Sequence, residues 1–169
     1  MLNILYSFWL KHIPILDVVI LASGFLIRVL YGSNITNIQI SNWLYLTILV
    51  FSFYMGLGKR RNEYKKMGTN GRKVLEFYNE SFLNNNMYMC MALGIVFYSL
   101  WCIDVNKAST GIFNIIWTVP IVLIICMKYS LNIENESHGD PVDVILGDKI
   151  LLLLGVIYTI LMFLWIYVL

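Results

Sequence analysis

Long apolar runs separated by short polar stretches dominate the chain. Five of them, Ile13–Tyr31, Ile40–Gly58, Met87–Ile103, Gly111–Ser130 and Ile150–Leu169, are continuously apolar rather than alternating. That is the pattern of membrane helices and not of barrel strands. Each is close to the ~20 residues a helix needs to cross ~30 Å of hydrocarbon. A sixth run, Met1–Leu10, is too short to cross, and it has neither the basic start nor the small-residue cleavage site of a signal peptide. It reads as the last turns of a helix. The expected fold is an all-α, polytopic transmembrane helix bundle of five spans plus this short N-terminal partial helix. One domain is expected over residues 1–169, with a basic cytoplasmic loop and cap at 58–86.

Composition narrows the function classes. The 169 residues are 59% hydrophobic and only 13% charged, and mean hydropathy is +0.73, against roughly 45–50% apolar and a quarter charged in soluble domains. A disordered chain, a nucleic-acid-binding domain and an ordinary water-soluble enzyme are excluded, and the first partner is a lipid bilayer. The cations then set orientation. Lys11, Lys59, Arg60, Arg61, Lys65, Lys66, Arg72, Lys73, Lys128 and Lys149 flank the spans on one side; Lys107 stands alone on the other, and Arg28 lies inside a span. By the positive-inside rule the N-terminus, the 58–86 loop and the loop before Lys149 are expected in the cytoplasm and the C-terminus outside. Trp43, Trp101, Trp117 and Trp165 fall near the expected outer interface, where amphipathic rings settle. Cys90, Cys102 and Cys126 lie within apolar runs at neither disulfide nor metal spacing, and read as small buried apolar side chains.

Candidate chemistry collects on the long, polar cytoplasmic connections and in the first span. Asp17 and Arg28 are ionisable groups in a membrane helix, which are costly and face a protein interior or cavity as a rule. Eleven residues apart, they share one helix face with Leu21 and Gly24, about 16 Å from each other along the axis. Either they line a site, or Asp17 is an interfacial cap and Arg28 snorkels to headgroups. The Gly56–Tyr64 segment places Lys59, Arg60 and Arg61 at the cytoplasmic end of the second span, with Glu63 at i,i+4 from Lys59. Such a cluster either holds the loop in the cytoplasm against anionic lipid or cradles a polyphosphate with Arg forks and a Lys point charge. Glu76, Asn79 and Glu80 could line a site or solvate a surface helix. Asn84–Asn86 reads as a helix entry. Asp140, Asp143 and Asp148 precede the last span; aspartates suit Mg²⁺, but Asp148 is better placed to cap a helix. His12 and His138 are isolated.

Taken in order, Tyr6–His12, Asp17 with Ala22–Arg28, Gly58–Glu63, Leu75–Tyr78, and Gly139–Pro141 through Asp148–Lys149 resemble the UbiA prenyltransferase superfamily, in its decaprenyl-phosphate phosphoribosyltransferase-like branch. The resemblance implies a nine-helix bundle, of which this chain matches the C-terminal portion, in a bacterial plasma membrane. It also implies transfer of a 5-phosphoribosyl group from phosphoribosyl diphosphate to a polyprenyl phosphate, helped by Mg²⁺. On that basis Asp17, Lys59 and Glu63 are expected to be catalytic, and Arg28, Arg60, Arg61 and Tyr78 to bind substrate. The superfamily's first aspartate motif does not appear in the sequence. The Mg²⁺ ligands are therefore expected outside this chain, which is expected to be inactive alone and completed by a separate N-terminal half. Two alternatives stand beside this reading: a non-catalytic membrane subunit or degenerate fragment, and prenyl transfer to an aromatic acceptor.

Overall fold

The computed structural model describes residues 13–67, 73–108, 114–134 and 141–167. Among the described residues every regular element is helical. The elements are α1 (Leu16–Thr36), α2 (Asn42–Met67), a 3₁₀ turn at Lys73–Phe77, α3 (Glu80–Ala108), a 3₁₀ turn at Ile115–Thr118, α4 (Val119–Glu134), α5 (Pro141–Gly147) and α6 (Lys149–Tyr167). The expected partial helix at Met1–Leu10, together with Lys11, His12, Arg72, His138 and Asp140, lies outside the described residues.

The five apolar runs map onto α1, α2, α3, α4 and α6, with informative differences. Three stretches, α1, α3 and Ile115–Glu134, are long and apolar enough to cross a membrane. α2 has 26 residues, about 39 Å of helix, but Thr47, Ser52 and its cationic end make it less apolar than the others. α5 and α6 reach the length of a span only together, and they bend by 96° at their junction. The last run therefore ends in an elbow with α5 turned across the end of α6. Asp148 makes that elbow, because its Oδ1 accepts from the N–H groups of Ile150 and Leu151 at 2.8 and 3.0 Å. This is the capping role its position suggested. α3 starts about two turns earlier than its apolar run, since Asn79 caps it through the Phe82 N–H at 2.6 Å. Asn84–Asn86 thus lie inside the helix rather than at its entry.

Most apolar side chains of these helices face outward. Only 17–28% of the windows that can span are buried, an arrangement that water would penalise and a bilayer solvates. α2 packs most extensively, along α3 and next along α1. Two glycines make its remaining approaches possible. A Cβ at Gly56 would sit 3.1 Å from Val18 Cγ1 of α1, and one at Gly58 would sit 2.8 Å from Ile133 Cδ1 of α4. The expectation that Gly24 serves such an approach is corrected here: nothing lies within 4 Å of a Cβ at that position, and the crossing runs through buried Val18 and Ala22 instead. Val74, Leu75, Leu83 and Met87 are fully enclosed, so the segment after α2 packs into the same core. Cys90, Cys102 and Cys126 are free and buried.

Candidate functional site

Gly56 and Gly58 bring α1 and α4 against opposite flanks of α2 just where its cations begin. The next residues therefore become buried charges instead of a solvated face. Arg60 is 1% exposed and Asp17, in the first turn of α1, is 0% exposed. Arg60 Nε donates to Asp17 Oδ2 at 2.5 Å, and its Nη1 donates to Glu63 Oε2 at 2.6 Å. Tyr78, from the segment linking α2 to α3, donates its hydroxyl to Asp17 Oδ1 at 2.7 Å. The same Tyr78 oxygen accepts the Ile15 N–H at 2.6 Å. Ile15 has φ 69°, a strained conformation for a β-branched residue, and this hydrogen bond holds it at the head of α1. Burial, followed by the bond to Asp17, pushes the Tyr78 hydroxyl pKa up, so it stays protonated and keeps donating.

Arg61 turns the other way. Its Nε donates to Asn84 Oδ1 of α3, and its Nη2 reaches Glu134 Oε1 of α4 at 3.2 Å. Tyr88 also donates to Glu134 Oε1, at 2.8 Å, and Lys65 lies 3.5 Å from Glu80. Arg61 Nη1 is buried with no hydrogen-bond partner among the described residues. Lys59 is half-buried on the same turn. The structure thus gathers Asp17, Arg60, Glu63, Tyr78 and Arg61 at one end of the bundle, with Lys59 beside them. It does not bring Arg28 there: that residue is exposed on α1, and its guanidinium lies 5.7 Å from the Phe25 ring centre.

Asn84, Tyr88 and Glu134 were not singled out by sequence. Glu134 did carry a signal, because a carboxylate in the last turn of a helix opposes the dipole and so calls for a local cation such as Arg61. The contact of Asn84 follows only from the packing of α2 on α3.

A Mg²⁺ ion does not fit these side chains as they stand. Asp17 and Glu63 already accept from Arg60 and Tyr78, and among the described residues no three His, Cys, Asp or Glu side chains converge. The polar groups also do not line the large cavity of the bundle. That cavity, about 620 Å³, runs between α2, α3, α4 and the α5–α6 elbow, with walls that include Phe51, Tyr54, Tyr98, Tyr129, Leu151 and Gly155. Its near end, at Met55 and Tyr129, is separated from the arginines by the Gly58–Ile133 crossing of α2 and α4.

Comparison with known proteins bears on what such an arrangement belongs to. The chain is 31% identical over 159 residues to the decaprenyl-phosphate phosphoribosyltransferase of Corynebacterium glutamicum, an alignment covering 91% of this chain and 48% of that protein. The enzyme of the same name from Mycolicibacterium smegmatis is 30% identical over 160 residues, covering 88% and 50%. That of Mycobacterium tuberculosis is 28% identical over 157 residues, covering 91% and 51%. The chain belongs to this UbiA-like branch. It spans about half the length of these curated relatives. No family model matches it. Within the branch the aligned part takes in every element from α1 to α6 or nearly so, and the polar cluster is built wholly inside it.

Proposed function

We propose that the chain forms the C-terminal part of a membrane transferase that moves a 5-phosphoribosyl group from phosphoribosyl diphosphate to a polyprenyl phosphate. The observation that carries this reading is the buried, cationic cluster at one end of a lipid-solvated bundle, in a chain related to proteins named for that reaction. Phosphoryl-bearing substrates need charge compensation where diphosphate leaves, and Lys59, Arg60 and Arg61 supply cations there. Arg60 is fixed between two carboxylates, so it orients the cluster and holds Asp17. Arg61, with Nη1 uncommitted, offers the donor for a phosphate oxygen. Asp17, ionised and held by Arg60 and Tyr78, accepts a hydrogen bond from a ribose hydroxyl once Tyr78 yields. The cationic end faces the cytoplasm in this reading, and Mg²⁺ and the remaining carboxylates come from outside the described residues.

A non-catalytic subunit is the second reading, favoured by how completely Asp17 and Arg60 satisfy one another. The two separate in a transfer assay. Membranes containing this chain alone, or with the N-terminal half of the Corynebacterium glutamicum relative, are supplied with phosphoribosyl diphosphate and decaprenyl phosphate. Product is expected only from the pair, and Arg61→Ala is expected to lower it about tenfold or more, the loss of one charge-assisted contact. Unchanged product with Arg61→Ala overturns the assigned role, and no product from the pair favours the second reading.

A further inference from the structure

We propose that the cavity between α2, α3, α4 and α6 holds the first isoprene units of a lipid phosphate, and that Gly155 is the residue keeping it open. The wall hydroxyls are the first argument. Thr118 donates to the Ile115 carbonyl at 2.7 Å, so its oxygen accepts from Tyr98 at 2.6 Å, and the Tyr98 oxygen in turn accepts from Tyr158 at 3.2 Å. Tyr54 donates to the Cys126 carbonyl at 2.8 Å and accepts from Ser130 at 2.7 Å. Thr47 and Thr159 donate to the carbonyls of Trp43 and Gly155, one turn back. These hydroxyl protons are all committed within the protein, so a sugar or phosphate entering here would shed water without gaining them as donors. A hydrocarbon chain sheds nothing of value.

Position and length supply the second argument. Along α2 the lining runs from Leu44 to Met55, about 16 Å by helix rise. This matches roughly three extended isoprene units, each four bonds of about 1.5 Å in zigzag. Met55 stands one turn before Lys59, so a chain lying in the cavity carries its phosphate to the cationic end of α2. A longer chain leaves the cavity for the bilayer.

Gly155 is the third. It lines the cavity in the interior of α6, where glycine weakens a helix relative to alanine, yet no neighbour demands its small size: nothing lies within 4 Å of a Cβ there. What a side chain at 155 would occupy is the cavity itself.

The identity of the lipid phosphate rests on the transferase reading; the depth of the cavity and the role of Gly155 do not. The test uses the whole chain in phosphatidylcholine nanodiscs, with binding of geranyl, farnesyl and decaprenyl phosphate and of phosphoribosyl diphosphate read by native mass spectrometry. Affinity is expected to rise from geranyl to farnesyl phosphate and then level off. Gly155→Leu is expected to weaken farnesyl phosphate by about tenfold or more through overpacking, with phosphoribosyl diphosphate unaffected. Equal binding by Gly155→Leu, or affinity that keeps climbing to decaprenyl phosphate, overturns the proposal. If Gly155→Leu misfolds, Gly155→Ala carries the test, and unchanged farnesyl phosphate binding then overturns it. Chain binding that depends on residue 155, without any uptake of phosphoribosyl diphosphate, upholds the cavity assignment and counts against the transferase.

Discussion

Arg60 and Arg61 are neighbours in sequence and opposites in space, because consecutive residues on a helix point about 100° apart. One is clamped to α1 through Asp17 and the other to α4 through Glu134. A buried ion pair adds little net stability, but removing one partner leaves an uncompensated charge and costs about 3–5 kcal/mol. Arg60→Ala and Asp17→Asn are therefore each expected to lower the unfolding temperature in detergent, and the double variant to lose clearly less than the two losses combined. Additive losses would show that the two side chains do not act as a pair. Tyr78→Phe deletes the bonds to Asp17 and from Ile15, a loss of about 1–3 kcal/mol. It is expected to speed hydrogen exchange at the Ile15 amide, measured by mass spectrometry. Cations at the end of α2 were visible in the sequence as a charge run, as was Asp17 as a costly membrane residue. That they bury one another was not, since nothing in a linear charge pattern distinguishes a solvated face from one covered by two other helices.

The helices were legible for the plain reason that lipid demands about twenty apolar residues in a row, and each expected run coincides with one. Boundaries set by single polar atoms were harder to read. Asn79 draws α3 back two turns, and Asp148 turns the last run into an elbow. The glycines split the same way. Gly56 and Gly58 mark crossings, whereas Gly24 faces open space, and only the packing separates them. Gly58→Leu is expected to push α4 away and cost about 1–3 kcal/mol by overpacking, with loss of a disulfide cross-link engineered between Arg61→Cys and Glu134→Cys. Gly24→Ala is expected to be neutral or to raise stability by up to about 1 kcal/mol in the same thermal assay.

At the scale of the molecule, the start of α1, the finish of α2, the start of α3 and the finish of α4 share one end, which is why polar residues scattered from Asp17 to Glu134 meet. The apolar cavity occupies the remaining length, behind the Gly58–Ile133 crossing. Sequence anticipated the shared polar end but not its separation from the cavity, because the seal is a contact between two helices far apart in the chain. Cysteines placed at exposed Lys66 and at exposed Trp117 test the orientation. A membrane-impermeant thiol reagent added outside intact cells is expected to label the second position and spare the first. The length of α2 has one more consequence. At about 39 Å it overshoots a ~30 Å hydrocarbon layer, and its surplus turns carry Glu63 to Met67. A change in membrane thickness is absorbed by how far that frayed, hydrated tail protrudes, while the arginines, moored to neighbouring helices, keep their depth.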